Sequence, residues 1–248
     1  MAAVILPPVL TFRSRLIARE TVAEQTPAFR FGRSDGFRFL AGQYLDITVI
    51  NAPDRDAEGP MRSFSIASAP AEPDLLVIMR MRDTAFKRTL AALEPGTEVI
   101  IEGPAGEFVL DGDRTRSRVF IAGGVGIAPF LSMLRDAEAH GGIGETTLFY
   151  SNRRPEDTAF LPELEMHARN LPGFRCIATM TRMATSRLPW AGETAHVDRS
   201  MIARYLPSVR GPRYYVCGSP ELIAGIRWEL EQAGVAGGDI RIEMFGGY

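Results

Sequence analysis

The sequence predicts two domains: an antiparallel β-barrel over residues 1–113, followed by an α/β domain with a parallel sheet over residues 114–248. Three observations carry this expectation. Short strand-like runs separated by turn residues fill the first part, the pattern of a barrel or sandwich. After Asp111-Gly112-Asp113 the rhythm changes, and strands alternate with helices as in a parallel sheet covered on both faces. A chain of 248 residues has room for two cores of ordinary size.

In chain order, Thr11–Glu20 and Ala28–Phe31 read as short strands. Gly42-Gln43-Tyr44 ends a turn and leads into Leu45–Ile50, where Leu45, Ile47 and Val49 alternate with Asp46 and Thr48. That is the period of a half-buried strand. Asn51–Pro60 is polar and proline-bearing, hence a loop. Ser63–Ala67, Leu75–Arg82 and Val99–Glu102 are strand-like, and Thr84–Leu93 reads as one short helix stopped by Pro95-Gly96. The second part gives strands at Val119–Ala122, Thr146–Tyr150, Arg175–Thr179 and Arg213–Cys217. Between and after them lie helices at Phe130–Ala139, Leu161–Asn170, Ser200–Tyr205 and Pro220–Gln232.

Composition excludes several classes. Apolar residues make up 46% and charged residues 23%, as in a soluble globular protein. No run reaches the ~18 apolar residues of a membrane helix. Met1–Leu10 is apolar but lacks a basic n-region, so it does not read as a signal peptide, and the expected location is cytoplasmic. Cys176 and Cys217 are too few for a disulfide framework or an iron–sulfur cluster. His140, His167 and His196 show no metal-ligand spacing, and a net charge of −2 gives no reason to expect nucleic acid. Lys87 is the one lysine among 28 basic residues, so phosphates or carboxylates would be met mostly by arginine.

The stretch Val119–Phe130 joins an apolar run, a turn holding Gly123, Gly124 and Gly126 with Ile127 and Ala128, and a helix that starts at Pro129. Glycines let a backbone or a phosphate approach closely, and Pro129 suits the first helical position. Strand, glycine turn and helix N-terminus together make an anion site. A tight strand-to-helix turn without a ligand is the alternative reading. In the barrel half, Arg62-Ser63-Phe64-Ser65 offers an arginine for phosphate, a ring for an isoalloxazine and a hydroxyl for its N5; an ordinary amphipathic strand is the alternative.

The chain resembles the ferredoxin–NADP reductase family. Gly42-Gln43-Tyr44 resembles the family's G-Q-Y turn, and Arg62-Ser63-Phe64-Ser65 its R-x-Y-S flavin motif with Phe for the commoner Tyr. Gly103-Pro104-Ala105-Gly106-Glu107-Phe108 resembles G-P-x-G-x-F, and Gly123–Pro129 the pyridine-nucleotide turn. Cys217-Gly218-Ser219-Pro220 resembles C-G-x-P, and Glu243-Met244-Phe245 the E-x-aromatic terminus. The six motifs occur in the family's order over essentially the whole chain.

The resemblance implies FAD in the barrel, with FMN not excluded, and NADP or NAD on the second domain. Arg62 would bind the flavin phosphate, with Ser63 beside it in the motif. Phe64 would pack on the flavin and Ser65 would reach N5. Met79, Arg80 and Met81 would line the ribityl and phosphate side. Lys87 stands roughly where the family has a pyrophosphate-binding serine. Cys217 and Gly218 would meet the nicotinamide, although Cys217 reads equally as core. Glu243 would be a polar neighbour of Ser65 and a proton relay. Phe245, or Tyr248 beyond the departure Gly246-Gly247, would cover the flavin. Ser151-Asn152-Arg153 and Thr181-Arg182 would take the adenosine end, and arginine there suits a 2′-phosphate, favouring NADP over NAD.

The implied reaction is hydride transfer from NAD(P)H to FAD, then electron release to a separate acceptor, an iron–sulfur or haem protein such as a ferredoxin or an oxygenase component. Ser65, Cys217 and Glu243 are the expected catalytic residues. Free-flavin or ferric reduction, or a non-catalytic electron-transfer subunit, are the alternatives. The first part has 12 basic and 16 acidic residues and the second 16 and 14, so neither announces a docking face for an acidic ferredoxin.

Overall fold

The computed structural model describes residues 6–50, 57–113 and 115–245. The chain falls into two compact units, Met1–Asp111 with Ala128–Asp136, and Gly112–Ile127 with Ala137–Tyr248.

The first unit holds β1 (Leu10–Ala23), β2 (Thr26–Gly32), β3 (Tyr44–Val49), β4 (Met61–Ser65), β5 (Asp74–Ile78), α1 (Ala85–Ala92) and β6 (Glu98–Ala105). Its sheet order is β4-β3-β6-β1-β2-β5, antiparallel throughout. β1 is long enough to serve two partners: Leu10 to Arg15 pair with β6, and Leu16 to Ala23 with β2. The two ends of the order then join. Past β4, Ala67 N–H donates to Leu76 O at 2.8 Å, and Leu76 N–H donates to Ser68 Oγ at 3.1 Å. Those bonds satisfy edge groups that an open sheet would expose. The alternation read in the sequence decides the inside: Leu45, Ile47 and Val49 on β3 are buried, with Phe29 and Phe31 of β2 in the same core. Each such burial contributes about 1.5–3 kcal/mol.

Two of the motifs are partners in this unit. Gln43 is buried; its Oε1 accepts from Leu40 N–H (2.9 Å) and its Nε2 donates to Gly106 O (3.1 Å). Gly42 has φ of +102°, and a Cβ there would lie 3.2 Å from the Phe108 carbonyl carbon and inside its oxygen. The Gly-Gln-Tyr turn is therefore fitted to the Gly103–Phe108 segment, a structural role for both.

The second unit carries β7 (Arg118–Gly123), β8 (Thr146–Asn152), α3 (Leu161–Asn170), β9 (Phe174–Met180), α4 (Arg199–Tyr205), β10 (Arg213–Gly218), α5 (Pro220–Gln232) and β11 (Ile240–Met244). α2 (Ala128–Ala139) follows β7. The sheet order is β11-β10-β7-β8-β9, all parallel. β7 comes first in the chain; β8 and β9 build to one side, β10 and β11 to the other. The order therefore reverses between β7 and β10, and ligands of open α/β sheets bind outside the strands' carboxyl ends at that point. β11 is an element the sequence reading did not predict, and β5 stops at Ile78 rather than running to Arg82.

Candidate functional site

In the first unit, a group of cations gathers at the start of α1. Thr84 is the N-cap, its Oγ1 accepting from Lys87 N–H at 3.3 Å, which satisfies one of the orphan donors of the first turn. Lys87 Nζ donates to Arg80 O at 3.0 Å. Desolvation lowers the Lys87 pKa, and the charges of Arg82 and Arg62 lower it further against the opposing pull of Glu58. Three cations are thus held within electrostatic reach of one another, an arrangement that an anion relieves.

Arg62 lies on β4. Its guanidinium donates to Glu58 O (3.1 Å), Gly59 O (2.8 Å) and Met61 O (2.7 Å), pairs with Glu58 Oε2 at 2.7 Å, and sits 5.2 Å over the Phe86 ring. Phe64, two residues on and so on the same strand face, stacks on Phe86 with ring centroids 6.0 Å apart. Phe86 therefore ties the arginine and the aromatic of the motif to α1. Phe64 is buried in the barrel core. Ser63 and Ser65 alternate to the opposite face; Ser63 Oγ bonds Asp46, and Ser65 is buried. Of the 79–81 segment, Met79 and Met81 pack against the core while their N–H groups donate to Pro27 O (3.0 Å) and Gln25 O (2.8 Å). Arg80 reaches back to Glu24 O at 2.6 Å and Thr26 Oγ1 at 3.2 Å. Thr84 and Phe86 were missed in the sequence; a hydroxyl just ahead of an apolar helical run was the signal for the first.

In the second unit, the glycine turn lies at the reversal point. Gly124–Ile127 form one 3₁₀ turn that runs into α2. Its glycines do different work. A Cβ on Gly126 would sit 2.8 Å from the Cys217 carbonyl carbon and 3.0 Å from Gly218 Cα, so this glycine lets the turn pack on the end of β10. Gly124 has φ of +53°, and a Cβ there would meet nothing within 4 Å. A Cβ on Gly123 would press on the Leu222 side chain at 2.7 Å. Ile127 and Ala128 point into the core, so they offer a ligand only backbone groups. Pro129 is the second residue of α2, not the first as expected, because the helix takes up Ala128. Its missing N–H still falls in the first turn, where no intrahelical bond is lost.

β10 ends beside this turn. Cys217 pairs with Ala122 of β7 on one side and Glu243 of β11 on the other. Its Sγ lies 3.9 Å from Glu243 Oε2. Burial, then the charge of and hydrogen bond to Glu243, push the thiol pKa well up, so Cys217 is a neutral thiol and not a thiolate nucleophile. The structure thus brings two of the expected catalytic residues together. Ser219 caps α5 by accepting from Leu222 N–H at 3.3 Å, with Pro220 at the first helical position. Phe245 N–H donates to Gly218 O at 3.3 Å. Tyr248 lies outside the described residues.

The ends of β8 and β9 form the third part of this face. Ser151 is half-buried and Asn152 buried. Thr181 N–H donates to Asn152 O at 2.9 Å, and Arg182 N–H to Arg153 O at 2.7 Å, which sets the two arginines side by side. Both are exposed. Arg154, next in line, is instead occupied by Asp157 (2.9 and 3.1 Å).

Residues 120–227 match the family described as "Oxidoreductase NAD-binding domain". Over 225 residues the chain is 30% identical to ferredoxin–NADP reductase B of Sorangium cellulosum, covering 87% of this chain and 89% of that protein. The chain belongs to the ferredoxin–NADP reductase-like family. It is an NAD(P)H-dependent flavin reductase of that family, and the family's fold is seen in a ferredoxin NADP⁺ reductase from Neisseria gonorrhoeae solved with bound FAD and NADP (TM-score 0.77, 20% identity, 94% of this chain and 98% of that one). Some relatives are longer: the chain spans 62% of the glycine betaine monooxygenase reductase subunit of Chromohalobacter salexigens, 26% identical over 233 residues. No helix among the described residues is long and apolar enough to cross a membrane.

Proposed function

We propose that the protein takes a hydride from NADPH onto an FAD held by its first unit and passes the electrons singly to a separate iron–sulfur or haem protein. The observation that carries this reading is the cation group of Arg62, Arg82 and Lys87 beside the capped start of α1, where burial and then the charges of Arg82 and Arg62 disfavour the charged form of Lys87. It fits the pyrophosphate of a flavin dinucleotide, whose two negative charges would relieve that repulsion. Bound FAD supplies the two-electron to one-electron conversion.

The chain's own residues bind and orient. Arg62 and Lys87 hold the phosphates, with the backbone of residues 79–81 alongside. Ser65 offers a hydroxyl for the flavin ring. Gly124 leaves room for the nicotinamide nucleotide's phosphates at the start of α2, where the helix dipole favours an anion. Cys217, kept protonated, and Glu243 fix the polar environment at the nicotinamide end. Productive transfer requires nicotinamide C4 to come within about 3–3.5 Å of the flavin N5. Arg153 and Arg182 take the 2′-phosphate, which selects NADPH over NADH.

Purified protein should be yellow and should bleach when NADPH is added without oxygen, faster than with NADH. Colourless protein that takes up no FAD contradicts the reading. Reoxidation by a ferredoxin, by free flavin and by ferric salts then sorts the acceptors.

A further inference from the structure

We infer that Glu156 is a positioning residue for nucleotide selectivity: it buckles the loop that carries Arg182 and so holds that arginine beside Arg153. This inference rests on the reading that the two arginines take the 2′-phosphate.

Glu156 sits in the short 3₁₀ turn Pro155–Asp157 that follows β8. Its Oε2 accepts from Ser186 Oγ at 2.9 Å and Oε1 accepts from Arg187 N–H at 2.5 Å. Both donors therefore lie on the loop after β9. Desolvation works against the charge, yet the bonds from Arg187 N–H and Ser186, with Arg154 nearby, hold the carboxyl below its ordinary range.

The loop needs such a tether. Arg182, Ala184, Thr185, Arg187 and Leu188 are all exposed, so little apolar burial fixes them. Inside it, Thr185 N–H and Oγ1 both return to Arg182 O (3.2 and 3.1 Å), and Ser186 N–H returns to Met183 O (3.0 Å). Those bonds shape the turn but do not anchor it. Anchoring comes from its two ends. Near β9, Arg182 N–H bonds Arg153 O. At the far end, Glu156 holds residues 186 and 187. With the second anchor gone, the turn opening at Arg182 must be ordered at the moment of binding, at about 0.5–1.5 kcal/mol for each side chain immobilised.

The test uses the full-length, FAD-loaded protein with 2′-phospho-AMP and AMP as probes. Dissociation constants are measured for wild type, Glu156→Ala, Glu156→Gln and Arg182→Ala. Glu156→Ala should weaken 2′-phospho-AMP about tenfold and AMP less than about twofold, the difference expected from one or two side chains to order. In turnover, its KM for NADPH should rise with kcat unchanged. Glu156→Gln keeps an oxygen acceptor and should restore most of the affinity. Equal losses for both probes, or none for either, overturn the clamp. If Arg182→Ala removes the preference for 2′-phospho-AMP while Glu156→Ala leaves it intact, only the clamp falls. If Arg182→Ala leaves the preference intact, the arginine reading fails and this inference falls with it.

Discussion

The two units offer an anion very different receptions. In the first unit the charge is on side chains: Arg62, Arg82 and Lys87 lie together, and burial first, then the charges of Arg82 and Arg62, depress the Lys87 pKa. In the second unit the turn after β7 has no basic side chain at all. It offers backbone N–H groups of the 3₁₀ turn Gly124–Ile127 and the open space at Gly124. On the proposed function, the first arrangement suits a resident dinucleotide, whose phosphates offset the cations' repulsion, and the second one that arrives and leaves with each turnover.

The largest expected effect tests the packing beneath the second site. Gly126→Ala puts a methyl into the backbone of Cys217 and should lower stability by about 1–3 kcal/mol or more, measured by denaturant unfolding with no ligand present. Next comes Arg182→Ala, which should weaken NADPH about 10- to 100-fold, the worth of a hydrogen-bonded charge, while NADH changes little. Similar losses for the two nucleotides would remove the arginine from the 2′-phosphate. Gly124→Ala meets no neighbour but must hold φ at +53°, so a cost of about 1–2 kcal/mol is expected, with the protein still folded and its KM for NADPH raised. If Gly124→Ala and Gly126→Ala prove equally damaging to the fold, the division of labour within the turn is wrong.

The smallest effect concerns pH. The Lys87 pKa is lowered from 10.5 in the folded protein, first by burial and then by Arg82 and Arg62. Between the lowered value and 10.5 the unfolded chain binds more protons at this site than the folded one, so Lys87 contributes a gain in stability as pH rises, opposed by the raised thiols of Cys176 and Cys217, which keep their protons in the folded state. Lys87→Met should remove that contribution, making the fall in stability with pH steeper than in the flavin-free wild type, and should weaken FAD binding as well. A variant whose pH dependence matches wild type would show that Lys87 is not perturbed in the folded protein.

Much of this was legible in the sequence, because period and punctuation record burial directly. The β3 alternation and the strand–glycine–helix passage at 119–130 found their elements within a residue or two. What was missed had weaker local signals. β11 is five residues long, and its Ile240/Ile242 alternation is too brief to stand alone; its partner β10 makes it a strand. The 79–81 segment keeps the β2–β5 register, with Met79 N–H bonded to Pro27 O and Met81 N–H to Gln25 O, but Pro27 has no N–H to return the bond and the strand ends at Ile78. Nothing in Gly123, Gly124 and Gly126 as letters says which faces a neighbouring backbone and which faces space. Glu156 carries no motif: its role depends on Ser186 and Arg187, some thirty residues away in the chain.

The comparison of the two anion sites meets its most direct test in Arg62→Ala. FAD retained after gel filtration and the affinity for 2′-phospho-AMP are measured on the same preparation. The account predicts that FAD retention falls at least about tenfold, as for the loss of a charged hydrogen-bonding partner, while 2′-phospho-AMP binds as to wild type. Full FAD occupancy, or a parallel loss of 2′-phospho-AMP binding, would contradict it.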